Sequence, residues 1–116
     1  MDNDIKKYPF VVSFYPGDED DVAYKGSYYI AFAPDLPGCI TCGEGESIND
    51  NLTSNCKDAL KCWIEAFKEG NDNLFTPSNI KPRKIPEPSD IDDVRRKISI
   101  ENSFVILVTA TLDENN

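Results

Sequence analysis

Ile48, Leu52, Cys56, Ala59, Leu60, Trp63, Ile64 and Phe67 recur at steps of three and four residues. That spacing lines one side of an α-helix with apolar side chains, in a stripe wide enough to cover the face of a sheet. Ser47 is a good N-cap, and Gly70 supplies the left-handed residue that commonly ends a helix. Lys61 and Lys68 lie toward the C-terminal end, where the helix dipole favours cations. One long amphipathic helix is therefore expected over 47–69, and it must find a sheet to cover.

The sheet is supplied on both sides of it. Tyr8 to Tyr15 is aromatic and β-branched, and Pro16-Gly17 ends it. A second strand is expected over 27–33, with Tyr28, Ile30 and Phe32 on one face and Tyr29, Ala31 and Ala33 on the other. Pro34 stops it, Asp35-Leu36-Pro37-Gly38 turns, and 39–43 forms a short third strand. Connections this short permit only antiparallel pairing. Beyond the helix, Pro77, Pro82, Pro86 and Pro88 make 71–88 an irregular connection. Ser89 is placed to cap a short helix with Asp92 and Asp93 in its first turn. The run Phe104 to Ala110 is continuously apolar, which argues for burial on both faces or pairing with another subunit. The fold class expected is α+β, an antiparallel sheet of three to four strands packed on one long helix, in the order β-β-β-α-(α)-β. Residues 1–112 form one domain and 113–116 a polar tail.

Charge narrows the function. The 116 residues hold 21 acidic and 12 basic side chains, net −9, and no histidine. Nucleic-acid binders concentrate Lys and Arg, and here the only cluster, Arg95-Arg96-Lys97, directly follows acidic residues. A basic protein is the natural partner of such a surface, with simple solubility as the alternative reading. Missing histidine removes the commonest general base and imidazole ligand. The N-terminus lacks the pattern of a signal peptide, and no apolar run approaches the roughly 20 residues of a membrane span. The expectation is a cytoplasmic protein with reduced thiols.

From Tyr28 onward the sequence resembles a known family. An aromatic strand runs into Ala31-Phe32-Ala33-Pro34-Asp35-Leu36-Pro37-Gly38-Cys39-Ile40-Thr41-Cys42-Gly43-Glu44-Gly45-Glu46-Ser47, then an amphipathic helix with a late Trp63. With Ile85-Pro86-Glu87-Pro88-Ser89 after the helix, this pattern is similar to the HicB antitoxins. The resemblance implies a truncated RNase H-like domain that blocks HicA, a small basic ribonuclease toxin of bacterial and archaeal toxin–antitoxin pairs. Most members add a DNA-binding segment after that domain. Here the chain stops soon after its last strand, so operator binding is not expected, and the connection from Gly70 to Ile85 is longer than the family's.

The RNase H resemblance raises a second reading, a divalent-metal-dependent nuclease. Two metals about 4 Å apart would require clustered carboxylates, for which Asp35, Glu44, Glu46, Asp50 and Asp58 are the candidates. The central strands carry no inward acid, so no catalytic residue, metal or cofactor is expected and the chain is read as a non-enzyme. Cys39 and Cys42 have CxxC spacing, but a strand points positions three apart to opposite faces. Cys56 and Cys62, six apart on a helix, also diverge, so the four thiols are read as buried and unremarkable. Asp35, Leu36 and Pro37 in a stiff loop, with Glu44 and Glu46, are the expected toxin contacts. Phe104, Ile106 and Val108 are the expected self-association strand of a homodimer or higher homo-oligomer. An orphan oligomer without a toxin is the third reading.

Overall fold

A computed structural model of the chain describes residues 4–17, 20, 26–45, 50–70, 84–98 and 103–112. The elements are β1 (Asp4–Tyr15), β2 (Tyr28–Phe32), β3 (Ile40–Glu44), α1 (Asp50–Glu69), α2 (Ile91–Lys97) and β4 (Ser103–Leu112). The strands make one antiparallel sheet in the order β3-β2-β1-β4. The α+β class and the meander of the first three strands agree with the sequence reading.

Strand lengths are unequal. Ten residue pairs join β1 to β4, from Asp4↔Leu112 to Ser13↔Ser103, whereas β2 meets β1 only from Val11↔Phe32 to Tyr15↔Tyr28. The N-terminal half of β1 thus has one neighbour. Pro9, which has no N–H to give, lies in that half, the place in a sheet where proline is tolerated.

Period-two alternation gives the sheet two apolar faces, and each has its own helix. On the first, Tyr8, Phe10, Val12, Tyr29, Ala31 and Val108 pack with Leu52, Cys56, Leu60, Trp63 and Ile64 of α1. These large side chains are almost fully buried, each contributing roughly 1.5–3 kcal/mol of transfer free energy. On the second, Val11 and Val105 meet Val94 of α2, with Ile91 and Ile98 beside them. The buried hydroxyl of Ser13 is satisfied by Ser103 across the ladder, Oγ to Oγ at 2.7 Å.

Several boundaries differ from the sequence reading. β1 begins at Asp4, four residues before the aromatic run. Its polar start carries no strand signal of its own and is held by pairing with the C-terminal half of β4. The described part of the long helix begins at Asp50; Ser47, its expected cap, and Glu46 lie outside the described residues, as do 71–83 and the tail 113–116. The N-cap of α2 is Asp90, whose carboxylate accepts from the Asp92 N–H at 2.8 Å. Ser89 does not cap the helix because Asp35 already engages it. β4 is an edge strand whose two faces are only partly covered: Val105 and Val108 are buried on opposite sides, but Leu107 is exposed.

Candidate interaction surface

The turn after β2 is locked from three directions. Leu36 N–H donates to the Ala33 carbonyl, Cys39 N–H to that of Leu36, and Ala33 N–H to that of Cys39, at 3.0–3.1 Å. Gly38 closes the turn at φ 83°, a left-handed conformation that favours glycine. From α1, the Trp63 indole N–H donates to the Pro37 carbonyl at 2.7 Å. From the segment before α2, Ser89 donates its N–H to Asp35 Oδ2 at 2.7 Å and its hydroxyl to Oδ1 at 2.5 Å. Leu36 is only 1 % exposed and belongs to the core.

The segment before α2 is a strap. Ile85 packs on the α1 side of the sheet, and Tyr8 Oη donates to the Pro86 carbonyl at 2.6 Å. Lys6 reaches Glu87 at 2.7 Å, an exposed pair worth under about 1 kcal/mol. After Ser89 the chain enters α2 on the opposite face. The strap therefore crosses beside the half of β1 that β2 leaves unpaired.

At the other end of the β2–β3 hairpin the constraint is steric. A Cβ on Gly43 would stand 2.7 Å from Cζ of Tyr29. Tyr29 cannot retreat: it is buried, accepts from Asn55 Nδ2 at 2.7 Å and donates to the Asn51 carbonyl at 3.4 Å. Burial pushes its phenol up from the usual range.

Outward from this hairpin the surface carries apolar and aromatic side chains. Phe32 and Ile40 are cross-strand partners on the face away from α1, and they remain 38 % and 60 % exposed. Tyr15 and Tyr28, also cross-strand partners, stack with ring centroids 5.2 Å apart. Glu44 lies opposite Tyr28 and is exposed. Between this patch and α2 is a cavity of about 390 Å³ lined by Val11, Phe32, Pro34, Asp35, Ser89, Val94, Lys97 and Ile98. A second groove of about 310 Å³ lies on the α1 side, where Lys57, Lys61 and Lys68 face Thr109 and Thr111 of the β4 edge.

Asp35, Glu44 and Asp58, the candidate metal ligands whose side chains are described, do not converge. Asp35 is held by Ser89, while Glu44 and Asp58 are exposed on different elements. Among the described residues no three His, Cys, Asp or Glu side chains are grouped to hold a metal. Cys39 and Cys56 are buried, whereas Cys42 and Cys62 are exposed, so the expectation of four buried thiols holds for two. Burial, with the neighbouring Cys56 and Cys62 thiols, pushes Cys39 up to about 12, and burial alone takes Cys56 to about 11. Both stay neutral near pH 7 and are poor nucleophiles or ligands.

A family model described as a HicB-like antitoxin of bacterial toxin–antitoxin systems matches residues 15–115. The chain belongs to this family. No curated protein and no solved structure gives a match. Membership of the HicB-like antitoxins makes a toxin the partner in general terms, so the surfaces that matter are those that fit a protein. No described helix is long and apolar enough to cross a membrane.

Against that role the expected residues separate clearly. Asp35 and Leu36 hold the turn together, Pro37 is half-buried with its carbonyl engaged, and Glu44 is free to meet a partner. Phe104, Ile106 and Val108 point toward α1; Val108 is buried and Phe104 stacks on Phe14 at 5.4 Å. Sequence reasoning did not single out Phe32 and Ile40. Their signal was present in the Tyr28, Ile30, Phe32 alternation, but two apolar faces leave the exposed one undecided until the helices are placed.

Proposed function

We propose that the chain neutralises a cognate HicA-type toxin, a small basic ribonuclease, by covering the surface with which that toxin handles RNA. It does so in the cytoplasm and without chemistry of its own. The match to the HicB-like antitoxins over 15–115 carries this reading. The net charge of −9 supports it, since complementary fields speed docking and disfavour wrong partners. So does the use of Asp35, one of the five candidate metal ligands, as a clamp on Ser89. Pro37, Glu44 and Glu46 face the toxin in this proposal, while Asp35 and Leu36 fix the shape of the loop. The ten-residue edge strand β4 supports a homodimer as well, with Phe104, Ile106 and Val108 keeping that edge straight against α1.

The test is co-expression with the small basic protein encoded beside this chain. Growth arrest by that protein should be relieved, and the two should co-purify. Arrest that continues with both proteins soluble would sink the proposal. RNA cleavage by the isolated chain with magnesium or manganese, lost in Asp35→Asn, would favour the nuclease instead.

A further inference from the structure

The toxin-binding proposal leaves open which face meets the partner, and the two sides of the sheet differ in chemistry. On the α1 side, Lys57, Lys61 and Lys68 line the groove along β4 together with one acidic residue, Glu65. That groove is the less favourable approach for a basic protein. On the opposite side, the β2–β3 hairpin offers exposed Phe32 and Ile40 beside one another. The stacked Tyr15–Tyr28 pair continues that surface, and Glu44 and Asp35 stand at its two ends. Lys97 lines the α2 wall of the adjoining cavity, while Arg95 and Arg96 of the same helix are paired with Asp92 and Asp93.

Resting on the proposed toxin-binding role, we infer that this outer face of the hairpin is the docking surface. Its occupant is a basic protein surface that inserts an apolar side chain between Phe32, Ile40 and α2 and sets Lys or Arg against Glu44 and the tyrosine pair. Three observations agree on that occupant. An apolar centre with a charged rim is the usual anatomy of an interface. Stacked tyrosine faces next to a carboxylate suit guanidinium groups, through cation–π attraction and direct pairing. Lysines outnumber acids in the α1-side groove, whereas Arg95 and Arg96 beside the hairpin are matched by Asp92 and Asp93, so charge favours the hairpin side.

The hairpin is also stiff. Gly43 is pressed under Tyr29, and the turn is tied to Trp63 and Ser89. A partner therefore docks on a surface that loses little freedom.

The experiment measures binding of the neighbouring basic protein to the full chain and three variants, alongside rescue of growth. Ile40→Arg should weaken binding at least about thirtyfold, as removal of a central anchor does. Glu44→Lys should slow association several-fold and flatten its salt dependence. Lys61→Glu, on the far groove, should bind within about twofold of the parent chain. Unchanged melting temperatures show that the variants fold, which is expected because Ile40 and Glu44 are exposed. If the parent chain binds and Ile40→Arg binds equally well, the docking surface is wrong while the antitoxin role stands. Failure of the parent chain to bind defeats the role itself. If Ile40→Arg turns a dimer into a monomer and leaves toxin binding intact, the face joins two copies of this chain and the inference is overturned.

Discussion

Replacing Asp35 by Ala tests how the turn and α2 are joined. The carboxylate accepts two hydrogen bonds from one residue, the N–H and the hydroxyl of Ser89, at 2.7 and 2.5 Å. Bonds to a charged group contribute about 1.5–3 kcal/mol each when sheltered, and less where water competes, as it does here. A loss of about 1–2 kcal/mol is expected for Asp35→Ala, and about half of that for Ser89→Ala, which keeps the backbone bond. The double substitution should cost no more than Asp35→Ala alone, giving a coupling energy of about 0.5–1 kcal/mol. With a urea m-value of about 1–3 kcal/mol/M for a small domain, the midpoint of Asp35→Ala should fall by roughly 1 M. Urea melts of the four proteins read the cycle directly. Costs that simply add, or a midpoint unmoved by Asp35→Ala, would refute the clamp.

Other expectations follow from packing and titration. Gly43→Ala should cost about 1–3 kcal/mol, seen as a lower melting temperature, because the buried Tyr29 ring cannot move aside. Leu36→Ala should lose about 2–5 kcal/mol, whereas Ile40→Ala on the open face should stay within about 0.5 kcal/mol; equal effects would contradict the burial assigned to Leu36. Stability should fall in alkali. Cys39 and Cys56, ordinarily near 9.0, titrate at about 12 and 11 when folded. Their contribution is complete below pH 9 and is lost as pH rises, since the unfolded chain releases those protons first. The slope is about 1.4 kcal/mol per pH unit for each thiol, and urea melts at pH 8, 9 and 10 should show it flattened in Cys56→Ala.

The elements that the sequence made legible are those with local signals. The three- and four-residue stripe of α1, the strand alternation around Tyr28 to Ala33 and the turn at Pro34 to Gly38 all appear where the pattern places them. What escaped depends on distant residues. Asp4 to Lys7 look like a polar leader, and only the ladder to β4 makes them strand. Ser89 and Asp90 are equally good caps by type, and the choice between them is made by Asp35, 54 positions away. Leu36 sits among turn residues and reads as exposed, but the hydrogen bond from Trp63 to the next residue draws the loop onto the core. The candidate site shifted for the same reason. Composition pointed to an acidic face, while the identity of its apolar centre depended on which side of the sheet each helix covers.

Alternation along β2 and β3 has a consequence for how such a protein diversifies. Inward residues such as Tyr29, Ala31 and Gly43 are bound by packing, while their immediate neighbours Phe32, Ile40 and Glu44 face out. Folding and the inferred recognition are thus written on alternate letters of the same short stretch. On the inferred docking face, a single substitution of an outward letter should alter partner binding at a stability cost within about 0.5 kcal/mol. The scaffold beneath stays fixed while the outward face changes.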